Sequence, residues 1–209
     1  MKSLRRHWYD LGGLLSIVVL IYCWTHVAVL SQYELLMWLS LASLFLHQLE
    51  EYRMPGTFPG MINTVMFRSA IPDRYPLNTN TAMIINVLIG WLFYFLAAVF
   101  GERAIWPGIA TMLVSAGNFI AHTFLFNIKG RTFYNAGLLT SWLLFLPCVL
   151  YFIHLLRTEA LATGMDYWIG IPLGIVLNVV GVFQMIGWLK DKDTAYIFDQ
   201  RNLLPRDRK

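Results

Sequence analysis

Six times along the chain an apolar run reaches the length needed to cross hydrocarbon, at residues 11–29, 33–51, 82–100, 105–126, 136–156 and 168–189. About 20 helical residues cover a hydrocarbon core of roughly 30 Å. With no water to satisfy N–H and C=O groups there, each run must satisfy its own backbone, which selects helices. Composition agrees: 57% of the 209 residues are hydrophobic and 13% charged, well below the about one quarter charged that is typical of soluble domains. No stretch between the runs is long enough for a soluble domain. The expectation is an all-α, polytopic membrane bundle of six helices, one domain over residues 1–190, followed by a polar tail at 191–209. Only G101-E-R-A104 separates the third and fourth runs, which predicts a tight helical hairpin.

The distribution of charge sets an expected orientation. With the N-terminus inside and six alternating spans, the inside segments hold 14 of the 16 Lys and Arg, and the outside loops only Arg103 and Arg157. Such a bias is the positive-inside signature. It predicts both termini in the cytoplasm of an integral membrane protein, with a bacterial inner membrane as the expected location. The basic character is then topogenic, and no nucleic-acid partner is needed to explain it. The first run follows Lys2, Arg5 and Arg6, but it is too long for a signal h-region and offers no A-x-A-like site, so it is expected to be a retained helix. Cys23 and Cys148 fall inside spans without a C-x-x-C pattern, so neither disulfides nor thiolate metal ligation is expected.

Between the second and third runs, residues 52–80 carry four of the eight prolines, Pro55, Pro59, Pro72 and Pro76. Prolines at this density fix turns. Met61–Phe67 in the middle is apolar and too short to span, which predicts an interfacial or re-entrant segment over the cytoplasmic mouth. Arg68 and Arg74 follow it, and Arg68 is a candidate for attracting an anionic head group if the segment is a lid.

The chemistry is concentrated at one depth. On the second span Ser40, Ser43, His47 and Glu51 form one stripe, with Glu50 beside it; on the fourth, Thr111, Ser115, Asn118 and His122 form another. Asn86 lies near the start of the third span, and Tyr134 and Asn135 near the start of the fifth. With the orientation above, four helices bring their most polar residues to the cytoplasmic third. Ionisable groups inside a membrane face the bundle interior and mark functional sites by default. Interhelical hydrogen bonding by Asn is the plain structural alternative, and a helix-end role the plain alternative for the two carboxylates.

H47-Q-L-E-E51 closing an early span, Asn86 on the next, a later His122 and Y134-N-A-G137 resemble the HXXEE-motif membrane protein family, over roughly residues 40–150. The resemblance implies a small polytopic membrane protein and carries no activity with it. One departure is Ala136, where the pattern leads one to expect Pro before Gly137.

Two His and one or two carboxylates from different helices suit a divalent metal, Zn or Fe, with positions left open for water or substrate. The candidate ligands are His47, Glu50, Glu51 and His122. Glu50, Glu51 and Tyr134 are candidate acid, base or hydrogen-bonding groups, and Asn86, Asn118 and Asn135 are supporting residues. Two Glu are too few for a ferritin-like di-iron site. The expected function is a metal-dependent membrane enzyme (hydrolase, oxidoreductase or isomerase) acting on a lipid-like or apolar molecule. Two alternatives use the same atoms: a metal-free acid–base isomerase, and a non-catalytic protein binding a lipid or partner. A transporter would be expected to show repeat symmetry and broken midplane helices, and no motif recurs between the halves.

Overall fold

The computed structural model describes residues 2–208. Among them there is no strand, and six long helices carry the fold: α1 Lys2–His26, α2 Gln32–Tyr52, α4 Thr79–Arg103, α5 Trp106–Gly130, α6 Leu138–Thr158 and α7 Gly164–Trp188. The short helix α3, Phe58–Gly60, runs on as a π-helical turn, Met61–Met66. Five of the long helices are long and apolar enough to cross a membrane. The exception is α2, which carries Glu34, His47, Gln48, Glu50 and Glu51. It is also the innermost: 14 of its 21 residues are buried, against at most 39% of the apolar stretch in the other five. A helix shielded from lipid by its neighbours can carry polar groups that a lipid-facing helix cannot.

Local signals set the ends. Ser31 and Glu34 form a reciprocal capping box at the start of α2. Asp166 caps α7 with Thr163 and also accepts the Ile105 and Trp106 amides at the start of α5, both at 3.2 Å. Helices α5 and α7 pack at close range because α7 presents Gly170 and Gly174. A Cβ at Gly170 would fall 2.7 Å from the Cβ of Ile109, and one at Gly174 2.7 Å from Leu113. The G101-E-R hairpin is a single 3-10 turn.

Helix α1 starts earlier than its apolar run, which begins at residue 11. Its first turns are amphipathic and bury Trp8 and Tyr9 against Tyr52. The segment 52–80 is tied down by Asn63, which is fully buried, donates to the Pro72 and Leu77 carbonyls and accepts the Leu77 amide. The tail is polar by sequence yet packs back across the same end of the bundle. Thr79 donates to the Tyr196 carbonyl at 3.0 Å, Asn202 donates to the Tyr52 and Gly56 carbonyls, and Phe198 and Leu203 are buried. Two apolar side chains and a few directed hydrogen bonds suffice to dock it.

Four helices loosen into π geometry along part of their length: Ile84–Trp91 in α4, Ala121–Leu125 in α5, Ser141–Phe145 in α6 and Val179–Gln184 in α7. Asn86 and His122 lie in two of these. Such widened turns are frequent at functional sites.

Candidate metal centre

His47 and Glu51 are one α-helical turn apart on α2, so their side chains project together. His122, from the π-helical turn of α5, completes a cluster whose potential ligand atoms all lie within 4.8 Å of one another. Glu51 Oε1 is 3.6 Å from His47 Nε2 and 3.3 Å from His122 Nε2. All three residues are buried, His122 completely. The His122 ring packs between Phe58 and Phe126, and His47 lies against Phe145.

The tautomers follow from the neighbours. Asn135 spends its Nδ2 hydrogens on the His122 carbonyl and Asn127 Oδ1, so its Oδ1 must accept from His122 Nδ1 at 2.6 Å. Thr140 donates its hydroxyl hydrogen to Glu50 Oε2 at 2.6 Å, so its oxygen accepts from His47 Nδ1 at 2.8 Å. With both Nδ1 atoms protonated, each Nε2 carries a bare lone pair. Neither Nε2 has a hydrogen-bond partner among the described residues. Two nitrogen lone pairs and a carboxylate oxygen therefore converge on one point inside the protein.

Three acceptors cannot satisfy one another. A proton on Glu51 serves one imidazole and leaves the other bare. A cation serves all three and neutralises a buried carboxylate, which is otherwise costly. The spacing fits as well: a tetrahedral ion with bonds of about 2.1 Å has ligand–ligand edges of about 3.4 Å, against the observed 3.3 and 3.6 Å. The Nδ1 bonds to Asn135 and Thr140 are the orienting contacts that metal-bound imidazoles characteristically make.

Glu50, expected among the ligands beside Glu51, lies outside the cluster. Successive helix residues point about 100° apart, and Glu50 faces the start of α6. Its carboxylate accepts from Tyr134 Oη at 2.8 Å, the Leu139 amide at 3.2 Å, the Thr140 amide at 2.8 Å and the Thr140 hydroxyl. It thus caps α6 from another helix, with little acceptor capacity left. Tyr134 is half-exposed and bonds Glu50, away from the cluster. Burial, reinforced by its bond to Glu50, holds the Tyr134 hydroxyl above the ordinary tyrosine range, so it remains a donor. Gly137 explains the end of Y134-N-A-G137. Its φ is +105°, and a Cβ there would meet His122 Cε1 at 2.3 Å, so only glycine lets the imidazole lie flat against this turn.

A cavity of about 350 Å³ opens beside the cluster, bounded by α2, α3, α4, α5 and α7 and touched by His47 and Glu51. Most of its wall is apolar, with Phe58, Ile85, Ile89, Phe93, Val114, Phe126 and Leu177 among the lining residues. Asn86 and Asn118 lie on the wall, as does Asn178; Asn118 also donates to the Val114 carbonyl of its own helix. Arg68 is exposed and outside the wall, where the basic residue is Lys129. Sequence reasoning missed Thr140, which reads as an ordinary helix-start residue. It also missed Gln48 and Tyr52, although their spacing of four beside His47 and Glu51 puts a second polar stripe on α2.

The fold and the site define a class: an all-helical protein with helices fit to span a membrane and a buried His–Glu–His cluster at the wall of an apolar cavity. Residues 38–152 match the family described as proteins of unknown function with an HXXEE motif. The match covers more than half of the chain, and the chain belongs to this family. It spans every member of the cluster together with Asn135, Gly137 and Thr140. No curated protein and no solved structure matches the chain.

Proposed function

We propose that the protein is a metal-dependent membrane enzyme in which His47, Glu51 and His122 hold one divalent cation, Zn or Fe, at the wall of a cavity that receives a lipid-like or apolar molecule. The observation that carries this reading is the pair of bare Nε2 lone pairs converging with Glu51 Oε1. Three protein ligands leave at least one coordination position open, and contact of His47 and Glu51 with the cavity supports its facing the substrate. A bound cation of this kind supplies Lewis acidity and an activated water near neutral pH. The chain's own residues orient and exclude: Asn135 and Thr140 hold the imidazoles, and the apolar wall keeps bulk water out.

The same proposal takes α2 as the sixth span and puts both termini in the cytoplasm. Contacts that gather the basic-rich ends support it: Arg5 with Asn80, Arg6 with Asp199, and Arg53 with Asp10 lie at one end of the bundle. The site and cavity then open toward the cytoplasmic leaflet.

Metal analysis of protein purified in detergent tests the central claim. About one equivalent of Zn or Fe is expected in the wild type, with loss in H122A and E51Q while both stay folded. A wild type that takes up neither ion on direct titration would overturn the metal site and leave proton sharing between Glu51 and His122 as the chemistry.

A further inference from the structure

Beside the candidate metal centre runs a chain of hydrogen bonds whose direction is fixed at its origin. The Trp91 indole N–H can only donate, and it donates to Gln48 Oε1 at 2.7 Å. Gln48 Nε2 therefore donates to Asn86 Oδ1 at 3.0 Å. Asn86 Nδ2 then donates to the Ala82 carbonyl at 2.8 Å and to Tyr52 Oη at 3.3 Å. The Ala82 carbonyl can only accept, which fixes the Asn86 amide a second time. At the far end Tyr52 receives a hydrogen bond and still holds its own hydrogen, for which the described residues provide no acceptor. The residue is 2% exposed and lies on the cavity wall next to Glu51. Buried tyrosine hydroxyls ordinarily find a partner.

The chemistry of that partner can be narrowed by accounting. The nearby amide oxygens of Gln48 and Asn86 and the Ala82 carbonyl are already engaged. Once the cation proposed above holds the three acceptors of the cluster, an alcohol or ammonium would bring hydrogens that this corner has little capacity to accept. A free carboxylate would carry a full charge into a cavity whose wall is mostly apolar, which is costly. A neutral carbonyl oxygen accepts and brings nothing that needs a partner. Apolar walls on α4, α5 and α7 suit the rest of the molecule.

We propose that Tyr52 donates a hydrogen bond to a ligand carbonyl, so that the cavity takes a neutral fatty-acyl compound, an ester or amide, with its carbonyl beside the His47–Glu51–His122 cluster and its chain along the apolar wall. This rests on reading the cavity as a site for an apolar molecule, but its test does not require the metal. Tyr52 is a sound probe, because Phe keeps the ring contacts with Trp8, Tyr9 and Phe58, and Asn86 keeps its bond to Ala82.

The experiment is equilibrium binding of radiolabelled methyl dodecanoate and of tridecane to wild type and Y52F in lipid nanodiscs, with empty discs subtracted. Saturable ester binding by the wild type is expected, about tenfold weaker in Y52F, with equal tridecane binding, melting temperature and metal content in the two proteins. The proposal is overturned by equal ester affinity in both, which would assign the hydroxyl to water. It is equally overturned by parallel loss of ester and alkane binding, which would make Tyr52 structural, or by absence of saturable ester binding in the wild type. Metal content measured on the same discs reports separately on the metal site.

Discussion

The inner end of α2 has two faces, and they treat adjacent carboxylates in opposite ways. On the face toward α6, Glu50 is met by two backbone amides and two hydroxyls. On the face toward α5, Glu51 meets two imidazole nitrogens that offer it no hydrogen. Burial is nearly the same, 6% and 4% exposed. What differs is whether the polar atoms close among themselves. A closed set is a joint between helices. An open set requires something from outside the chain. The chemical site is marked by unmet acceptors that converge on one point, whereas unmet hydroxyls such as those of Tyr33 and Ser40 stand singly, and density of charge alone would have pointed equally to both carboxylates.

The comparison breaks most visibly at Glu50. Glu50→Ala leaves two amides at the start of α6 and the hydroxyls of Tyr134 and Thr140 without their acceptor, and breaking a buried, charge-assisted network of this kind costs about 3–5 kcal/mol. Denaturant unfolding in detergent should show that loss in metal-free protein. Glu51→Gln should go the other way in the same assay, because an amide N–H can donate to one of the bare Nε2 atoms and remove a buried charge. If the two variants are equally destabilised without metal, the two faces are not different in kind.

A smaller effect sharpens the comparison by touching the cluster only through the imidazoles. Asn135→Ala and Thr140→Val remove the groups that accept from Nδ1, which frees each ring to rotate and to adopt the other tautomer. Metal affinity should fall by about 10–100-fold in each, the range typical for contacts that orient a ligand. Competition with a chromophoric chelator measures it. Unchanged affinity in both would mean that the rings are held by packing against Phe58, Phe126 and Phe145 alone.

Much of this was legible in the residues. Apolar runs marked the five helices that are long and apolar enough to cross a membrane, because apolar length and backbone satisfaction leave few alternatives; the run at 33–51 is also a helix, α2, but falls outside that set. His47, Glu51 and His122 could be singled out as the ionisable members of two polar stripes, lying toward one end of each on otherwise apolar helices. Most of the remainder of those stripes turned out to be satisfied within the protein: Ser43 bonds the Leu39 carbonyl, Thr111 those of Pro107 and Gly108, and Ser115 meets Tyr94, while the Ser40 hydroxyl has no partner among the described residues. The separation of Glu50 from Glu51 was not legible, since spacing says that neighbours diverge but not which of them meets α6. Nor was the docked tail, whose anchors Phe198 and Leu203 belong to two very short apolar patches, Y196-I-F198 and L203-L204, in a polar segment. Widening of α5 around His122 depends on packing and left no mark in composition.

The smallest effect concerns Arg68, the residue that sequence reasoning offered as the attracting charge of a lid. It sits just beyond the π-helical turn Met61–Met66, exposed, with φ at +52°. A non-glycine residue held there is strained by about 1–2 kcal/mol, and glycine relieves the strain while giving back about 0.4–1 kcal/mol through a more flexible unfolded chain. Arg68→Gly should therefore stabilise the protein slightly, by between about 0 and about 1.5 kcal/mol. The segment is already fastened by Asn63 and by the bond from Thr64 to Asp207, and the basic residue on the cavity wall is Lys129. Metal content and methyl dodecanoate binding should accordingly match wild type. A loss of ester binding without loss of stability would restore the lid, because the effect could then come only from closure of 52–80 over the cavity.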